Sequence, residues 1–284
     1  MKHPFPYAAN CSLLFTEVPL LKRPAAARAA GFHAIESWWP FDTAVPREAD
    51  VDRFVTAVQD ADVELIGLNL AAGDMPGGDR GLLSWPARRT EFLDSVQVAI
   101  SIGSQLGVSC FNALYGNRLD NASAQEQDDL AADNLATVAE AMASIGATVV
   151  VEPLSGVARY PLRTAADVID VLDRVTRLTT AGNLRMLADL YHLTANGDDL
   201  DAVISRYADR IGHLQIADWP GRNEPGTGRI NFDKHLNALE AAGYRGWAAL
   251  EYQPATTTEQ SLSWLPRNHR GADPISKTSQ GAKQ

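Results

Sequence analysis

The alternation of short apolar runs with longer helical stretches constrains this chain more than any other feature. Eight runs of strand character, Tyr7–Asn10, Ala34–Ser37, Glu64–Leu70, Val108–Ala113, Thr148–Glu152, Leu184–Asp189, Ile211–Ile216 and Trp247–Glu251, each finish at or near a polar residue. Between them, Val51–Ala61, Pro86–Leu106, Ala124–Ser144, Ala165–Arg177, Leu200–Ala208 and Phe232–Ala242 carry apolar residues at helical spacing. A first helix near Pro19–Ala30 contains Pro24, and a short one near Glu259–Leu265 would close the series. Parallel strands need a crossover of a dozen or more residues, which these helices supply. Eight such units close on themselves, so the expected fold is α/β, a single (β/α)8 TIM barrel over residues 1–266. Residues 267–284 are polar and are expected to form a disordered tail. The competing open sheet would place a Gly-rich phosphate turn after its first strand, and none is there. Gly31, Gly107, Gly146, Gly182 and Gly243 each follow a helical stretch, where a left-handed residue stops a helix.

Composition excludes several classes. The net charge of −10 argues against nucleic acid, whose binding generally needs a basic footprint. Cys11 and Cys110 are too few to form a disulfide framework. No run approaches the roughly 18 apolar residues of a membrane span, and the first residues lack a signal-peptide core. The expected setting is cytoplasmic, the expected partner a small keto-acid or sugar, and homo-oligomer formation is left open.

In a barrel, reactive groups stand at the C-terminal ends of the strands. Those ends read Asn10, Glu36, Asn69, Asn112, Glu152, Asp189, Gln215 and Glu251. The last four lie 37, 26 and 36 residues apart, each one crossover, so Glu, Asp, Gln and Glu aim at one point. Three carboxylates so crowded repel unless a cation holds them, and oxygen donors suit Mg2+ or Mn2+. A lone acid at a strand end is more often a helix cap or a solvated contact; the argument rests on the set. His213 and Gln215 share the inward face of one strand, His213 a layer deeper. Two Gly-rich loops, 71–81 and 217–228, are long enough to cover a site or to be ordinary turns.

At these residues the chain resembles the hydroxypyruvate isomerase family of the xylose-isomerase-like barrels. The matching segments are Ala9-Asn10-Cys11-Ser12-Leu13-Leu14-Phe15, Gly31-Phe32, Ile35-Glu36, Asn69-Leu70-Ala71-Ala72-Gly73-Asp74, Val151-Glu152-Pro153, Asp189-Leu190-Tyr191-His192, Gly212 to Asp218, Glu224-Pro225-Gly226-Thr227-Gly228 and Glu251-Tyr252. The resemblance implies that Glu152, Asp189, Gln215 and Glu251 hold a divalent metal and that Glu152 and Glu251 move the proton. It also implies interconversion of hydroxypyruvate and tartronate semialdehyde, or isomerisation of 2-oxo-tetronates. His192, Arg222, Asn69 and Glu36 are the candidate substrate-binding residues, with Arg222 as a carboxylate clamp. The chain departs from the pattern at Leu68, where some members have histidine, and in a lid lacking the tryptophan often found after Asp74. The expected reaction runs through an enediol, with a metal-assisted hydride shift as its alternative. Rival readings are an epimerase of the same superfamily, a histidine-rich multi-zinc DNA-repair nuclease on the same barrel and a non-catalytic sugar-binding barrel.

Overall fold

The computed structural model of the chain describes residues 4–271. Eight strands, β1 (Tyr7–Asn10), β2 (Ala34–Ser37), β3 (Glu64–Asn69), β4 (Cys110–Asn112), β5 (Thr148–Val151), β6 (Leu184–Asp189), β7 (Ile211–Ile216) and β8 (Ala248–Leu250), pair in parallel in chain order, and β1 pairs with β8. The barrel is closed, as the alternation requires. β4 and β8 are shorter than the apolar runs that contain them, because the stagger of a closed barrel leaves strand ends beyond the shared ladder.

The helices are α1 (Arg23–Ala29), α2 (Glu48–Asp60), α3 (Arg89–Leu106), α4 (Ala124–Ala143), α5 (Ala165–Val175), α6 (Leu190–Asn196), α7 (Leu200–Tyr207), α8 (Phe232–Ala241) and α9 (Thr258–Ser261). Pro24 stands in the first turn of α1, where its missing N–H costs nothing, so it starts the helix instead of breaking it. In α5, Ala165, Val168, Ile169, Leu172 and Val175 form one buried stripe, and Thr164 with Asp167 closes a capping box. Gly31, Gly107, Gly146 and Gly243 have positive φ, as a helix stop demands. Gly182 does not serve this purpose: α5 already ends at Val175, and Gly182 lies late in the loop that follows.

Side chains inside the barrel change character with height. Ala8, Ala34, Ile66 and Ala249 pack as one small apolar group, and Cys110, Val150 and Leu187 as another. Beside the second group stand Glu36, His213 and Gln215, so the strands become polar toward their C-terminal ends. A register shift between Met186 and Leu187 places Asp189 level with Gln215, and Asn10 is level with Glu36.

The first residues of the polar tail are docked. Arg267 donates to the carbonyl of Ala29 (2.6 Å) and Arg270 to that of Ala30 (3.0 Å), capping the end of α1. Residues 272–284 lie outside the described residues. Among the described residues no helix is long and apolar enough to cross a membrane.

Candidate active site

A cavity of about 500 Å³ opens at the C-terminal end of the barrel. Its polar lining includes Asn69, Glu152, His192, Arg222 and Glu251, and its apolar wall Leu114, Leu154 and Val157. Trp38, Met75, Pro76 and Arg80 complete one side.

Of the eight residues expected at the site, Asn69, Glu152, His192, Arg222 and Glu251 line this cavity, Asp189 lies against His192 and Glu251, and Gln215 and Glu36 share the small pocket beneath. Glu152 directly follows β5, and its Oε1 accepts from Asn112 Nδ2 (2.8 Å). Asp189 ends β6 and answers to both readings of a strand-end acid. Its Oδ1 caps α6, accepting from the backbone of Tyr191 (2.7 Å) and His192 (3.2 Å), while Oδ2 faces inward. Glu251 Oε1 accepts from Asn10 Nδ2 (3.2 Å), Trp38 Nε1 (2.7 Å) and Gln215 Nε2 (3.2 Å), and Oε2 pairs with Arg222. Glu36, expected to touch substrate, does not line this cavity. Its Oε1 accepts from Asn10 (2.8 Å) and Gln215 (2.8 Å) and its Oε2 meets His213 Nε2 (2.6 Å), so the carboxylate is fully engaged one layer down.

Three buried oxygens of the expected ligands have no hydrogen-bond partner among the described residues, Glu152 Oε2, Asp189 Oδ2 and Gln215 Oε1, and Asn112 Oδ1 beside Glu152 has none either. Buried acceptors are nearly always satisfied, so three orphans on neighbouring strands call for a ligand. They belong to three of the four residues whose spacing suggested a metal. Asp189, His192 and Glu251 also offer donor atoms within 4.8 Å of one another. The histidine does not fit that role. Ser155 donates its backbone N–H to His192 Nδ1 (3.0 Å), which makes Nδ1 the acceptor and leaves the ring proton on Nε2. Nε2, 3.7 Å from Asp189 Oδ2, is therefore a hydrogen-bond donor.

Electrostatics follow from crowding. Burial, reinforced by the charge of Glu251 and opposed by the Asn112 hydrogen bond, pushes the Glu152 carboxyl well above the usual range. Burial raises Glu251 to about 7 against the opposing pull of Arg222, with Asp189 and Glu36 adding repulsion. Asp189 is raised to about 6, again by burial opposed by Arg222. Burial and the Arg222 charge hold His192 well below its ordinary value, so the imidazole is neutral. Burial works against the Arg222 charge, but Glu251, Asp189 and Glu152 outweigh it and keep the guanidinium protonated.

The loop after β7 delivers Arg222 with a strained backbone, φ being 58°. What holds it is Asp218, buried just beyond the strand. Asp218 Oδ1 accepts from the backbone of Trp219 (2.9 Å) and Ile230 (3.0 Å), and Oδ2 from Gly226 (2.9 Å) and Gly228 (2.8 Å). A Cβ on Gly228 would fall 2.3 Å from the Trp219 carbonyl oxygen, so only glycine allows that approach. Asp218→Asn would set an amide NH2 against two backbone donors. It should destabilise the protein by about 2–4 kcal/mol in urea titration, each buried unsatisfied donor costing roughly 1–3 kcal/mol. An unchanged midpoint would remove Asp218 as the organiser of this loop.

Sequence reasoning passed over Trp38, Asn112, Asn10 and Ser155, the residues that hydrogen-bond the expected ones. Asn10 and Asn112 carried the right signal, a polar residue at a strand end. Trp38 and Ser155 lie in loops, where spacing carries no information about direction.

Comparison with known proteins agrees with this architecture. The family model described as xylose isomerase-like TIM barrel matches residues 24–268. The chain is 48% identical to a provisional hydroxypyruvate isomerase of Streptomyces coelicolor, over 94% of this chain and 97% of that one. It is 33% identical to hydroxypyruvate isomerase of Escherichia coli, over 91% and 97%, and 31% identical to 2-oxo-tetronate isomerase of Cupriavidus necator, over 91% and 96%. A Brucella melitensis structure described as an AP endonuclease, family 2, superposes with a TM-score of 0.82 at 30% identity, covering 91% of this chain and 97% of that one. With a matched family model across most of the barrel and relatives named hydroxypyruvate isomerase at 48% and 33% identity, the chain belongs to the xylose isomerase-like TIM barrel family, on its hydroxypyruvate isomerase branch, and is an isomerase.

Proposed function

We propose that this isomerase interconverts hydroxypyruvate and tartronate semialdehyde with a divalent metal, Mg2+ or Mn2+, by proton transfer through an enediol. The observation that carries this reading is one cavity lined by two glutamates, both with raised carboxyl pKa, against three unpartnered buried oxygens.

Glu152, Asp189, Gln215 and Glu251 are the residues that would hold the metal: the first three have unpartnered oxygens, hard donors of the kind such ions prefer, and Glu251 would offer an oxygen now held by hydrogen bonds and Arg222. Bound there, a divalent cation supplies Lewis-acid polarisation of a carbonyl and charge to offset the three acids. The protein's own groups do the rest. One of Glu152 and Glu251 takes a proton from the hydroxymethyl carbon of the keto-acid, the hydroxyl proton on that carbon's oxygen passes to the former carbonyl oxygen, and the other glutamate gives a proton to the former carbonyl carbon. Both oxygens stay on the substrate, its carboxylate is untouched, and no net proton is gained or lost. Carboxyls held above their ordinary range are suited to giving and accepting protons in turn. His192, a neutral Nε2–H donor, is set to hydrogen-bond a substrate oxygen. Asn10, Trp38 and Asn112 hold the glutamates in place. Glu36 acts from below by orienting Gln215 and Asn10.

A four-carbon 2-oxo-tetronate is the second reading, favoured by a cavity roomier than a three-carbon acid needs and by the Cupriavidus relative. The nuclease rival lacks its histidines: at the described site His192 is a donor and His213 is bonded to Glu36. Incubating the purified protein with each acid and Mg2+ or Mn2+ in heavy water tests the proposal. Isomerisation with deuterium entering the product is the expected result. Full retention of substrate hydrogen would replace the enediol by a hydride shift, and absence of turnover on both acids would overturn the assignment.

A further inference from the structure

Two guanidinium groups line the cavity; Arg222 keeps an unpartnered Nε but its charge is paired, and Arg80 is the one without a carboxylate partner among the described residues. Arg222 is spoken for: it pairs with Glu251, lies 3.9 Å from Asp189 Oδ2 and stands over the Tyr191 ring at 5.7 Å. Arg80 has no carboxylate partner among the described residues. Its hydrogen bonds run from Nη1 to the carbonyls of Met75 (2.9 Å) and Asp79 (2.6 Å), which leaves Nε and Nη2 without an acceptor among those residues. The adjacent acid, Asp79, is occupied elsewhere, accepting from the Asp74 backbone (2.8 Å) and from Arg88 (3.1 Å).

The backbone that carries Arg80 is fixed. Gly116 donates to the Arg80 carbonyl (2.9 Å) and Gly81 to that of Ala72 (2.9 Å). Gly81 has φ of +110°, and a Cβ there would lie 2.0 Å from the Leu114 carbonyl oxygen. The 71–81 loop is thus seated tightly on the β4 side of the barrel mouth and presents Arg80 at a set position. The floor of the cavity is acidic and the whole chain carries −10, so an anionic substrate needs a cation that is not already neutralised. The apolar residues Leu114, Leu154 and Val157 share the cavity wall and strengthen any charge pairing there.

We propose that Arg80 recognises the carboxylate of the substrate and sets the preference of this site for 2-oxo and 2-hydroxy acids over neutral sugars. The inference rests on the isomerase reading for its substrate class and reassigns the clamp expected of Arg222. The Nε–Nη2 edge of a guanidinium matches a carboxylate with two parallel hydrogen bonds.

The test compares wild type, Arg80→Gln and Arg80→Lys on hydroxypyruvate and on its neutral three-carbon counterpart, dihydroxyacetone. Glutamine can still donate to the Met75 carbonyl but carries no charge. Arg80→Gln should raise KM for the acid about 10- to 100-fold, the worth of a charged hydrogen-bonded pair, with kcat within about threefold. Turnover of the neutral ketose should be unchanged, and lysine should recover part of the loss without the fork. An unchanged KM for the acid, or an equal fall on both substrates, would overturn the assignment, the second result pointing to the loop instead. Calorimetry with glycerate, an acid that cannot isomerise, separates this from failure of the isomerase reading. Wild type should bind glycerate at least about tenfold more tightly than Arg80→Gln even if no turnover is found; equal binding, or none to wild type, would count against Arg80.

Discussion

Glu251→Gln should lower kcat by about 10³-fold or more, with a melting temperature equal to or above that of the wild type. On the proposed mechanism the loss is large because the side chain would serve both proton transfer and the holding of the cation. Stability should not fall, because Glu152, Asp189, Glu251 and Glu36 are buried together and repel. Removing one charge relieves that repulsion, the usual trade between stability and activity at a functional site. Asn10 and Trp38 keep an acceptor in the amide oxygen, and Arg222 keeps Asp189 within 3.9 Å. Glu152→Gln should behave alike, since the amide oxygen of the substituted side chain still accepts from Asn112. Steady-state kinetics and a thermal melt on the same preparation check both halves. Turnover within about tenfold of wild type would take Glu251 out of the chemistry.

Chelation should abolish activity, and Mg2+ or Mn2+ should restore it and raise the melting temperature of the protein. A cation at 100 times its Kd stabilises the native state by about 2.7 kcal/mol. That shift is readable without any substrate, and it distinguishes two donor sets. If the oxygen set of Glu152, Asp189, Gln215 and Glu251 holds the ion, Gln215→Leu and Asp189→Asn should each suppress the shift. His192→Gln should leave it, because the Ser155 backbone N–H commits His192 Nδ1 as acceptor and Nε2 as donor. Loss of the shift in His192→Gln and Asp189→Asn, with Gln215→Leu retaining it, would instead support Asp189, His192 and Glu251 as ligands. No shift with either ion would remove the metal from the proposal.

Much of the architecture was legible because barrel strands are buried on both faces. They appear as continuous apolar runs, and a polar residue ending such a run stands out, as Glu152, Asp189, Gln215 and Glu251 do. α6 escaped notice since its seven residues, Leu190–Asn196, are too few to display a helical period. The strand end at Glu36 gave the correct direction and the wrong depth. Reading it as substrate-facing treats all strand ends as level, whereas the stagger of the barrel and the irregular register after Ile35 set Glu36 below the mouth, against His213. Gly182 failed as a helix stop for a related reason: a glycine near a helix end shows only that a stop is tolerated there.

The order of residues was enough to settle the eightfold alternation, the closed parallel barrel that follows from it, and the set of acids at the strand ends. These rest on periodicity and on local backbone preference, which act over a few residues. How those acids are partnered came from the folded barrel. Asn10 reaches Glu251 across 241 positions of the chain, Trp38 reaches it across 213, and Glu36 meets His213 across 177. Closure of β1 on β8 and the register of each ladder set these contacts, together with the pairing of Arg222 and the freedom of Arg80. Charge and hydrogen bonding depend on distances of a few ångströms between groups far apart in the chain, and only the closed ring of strands supplies those distances.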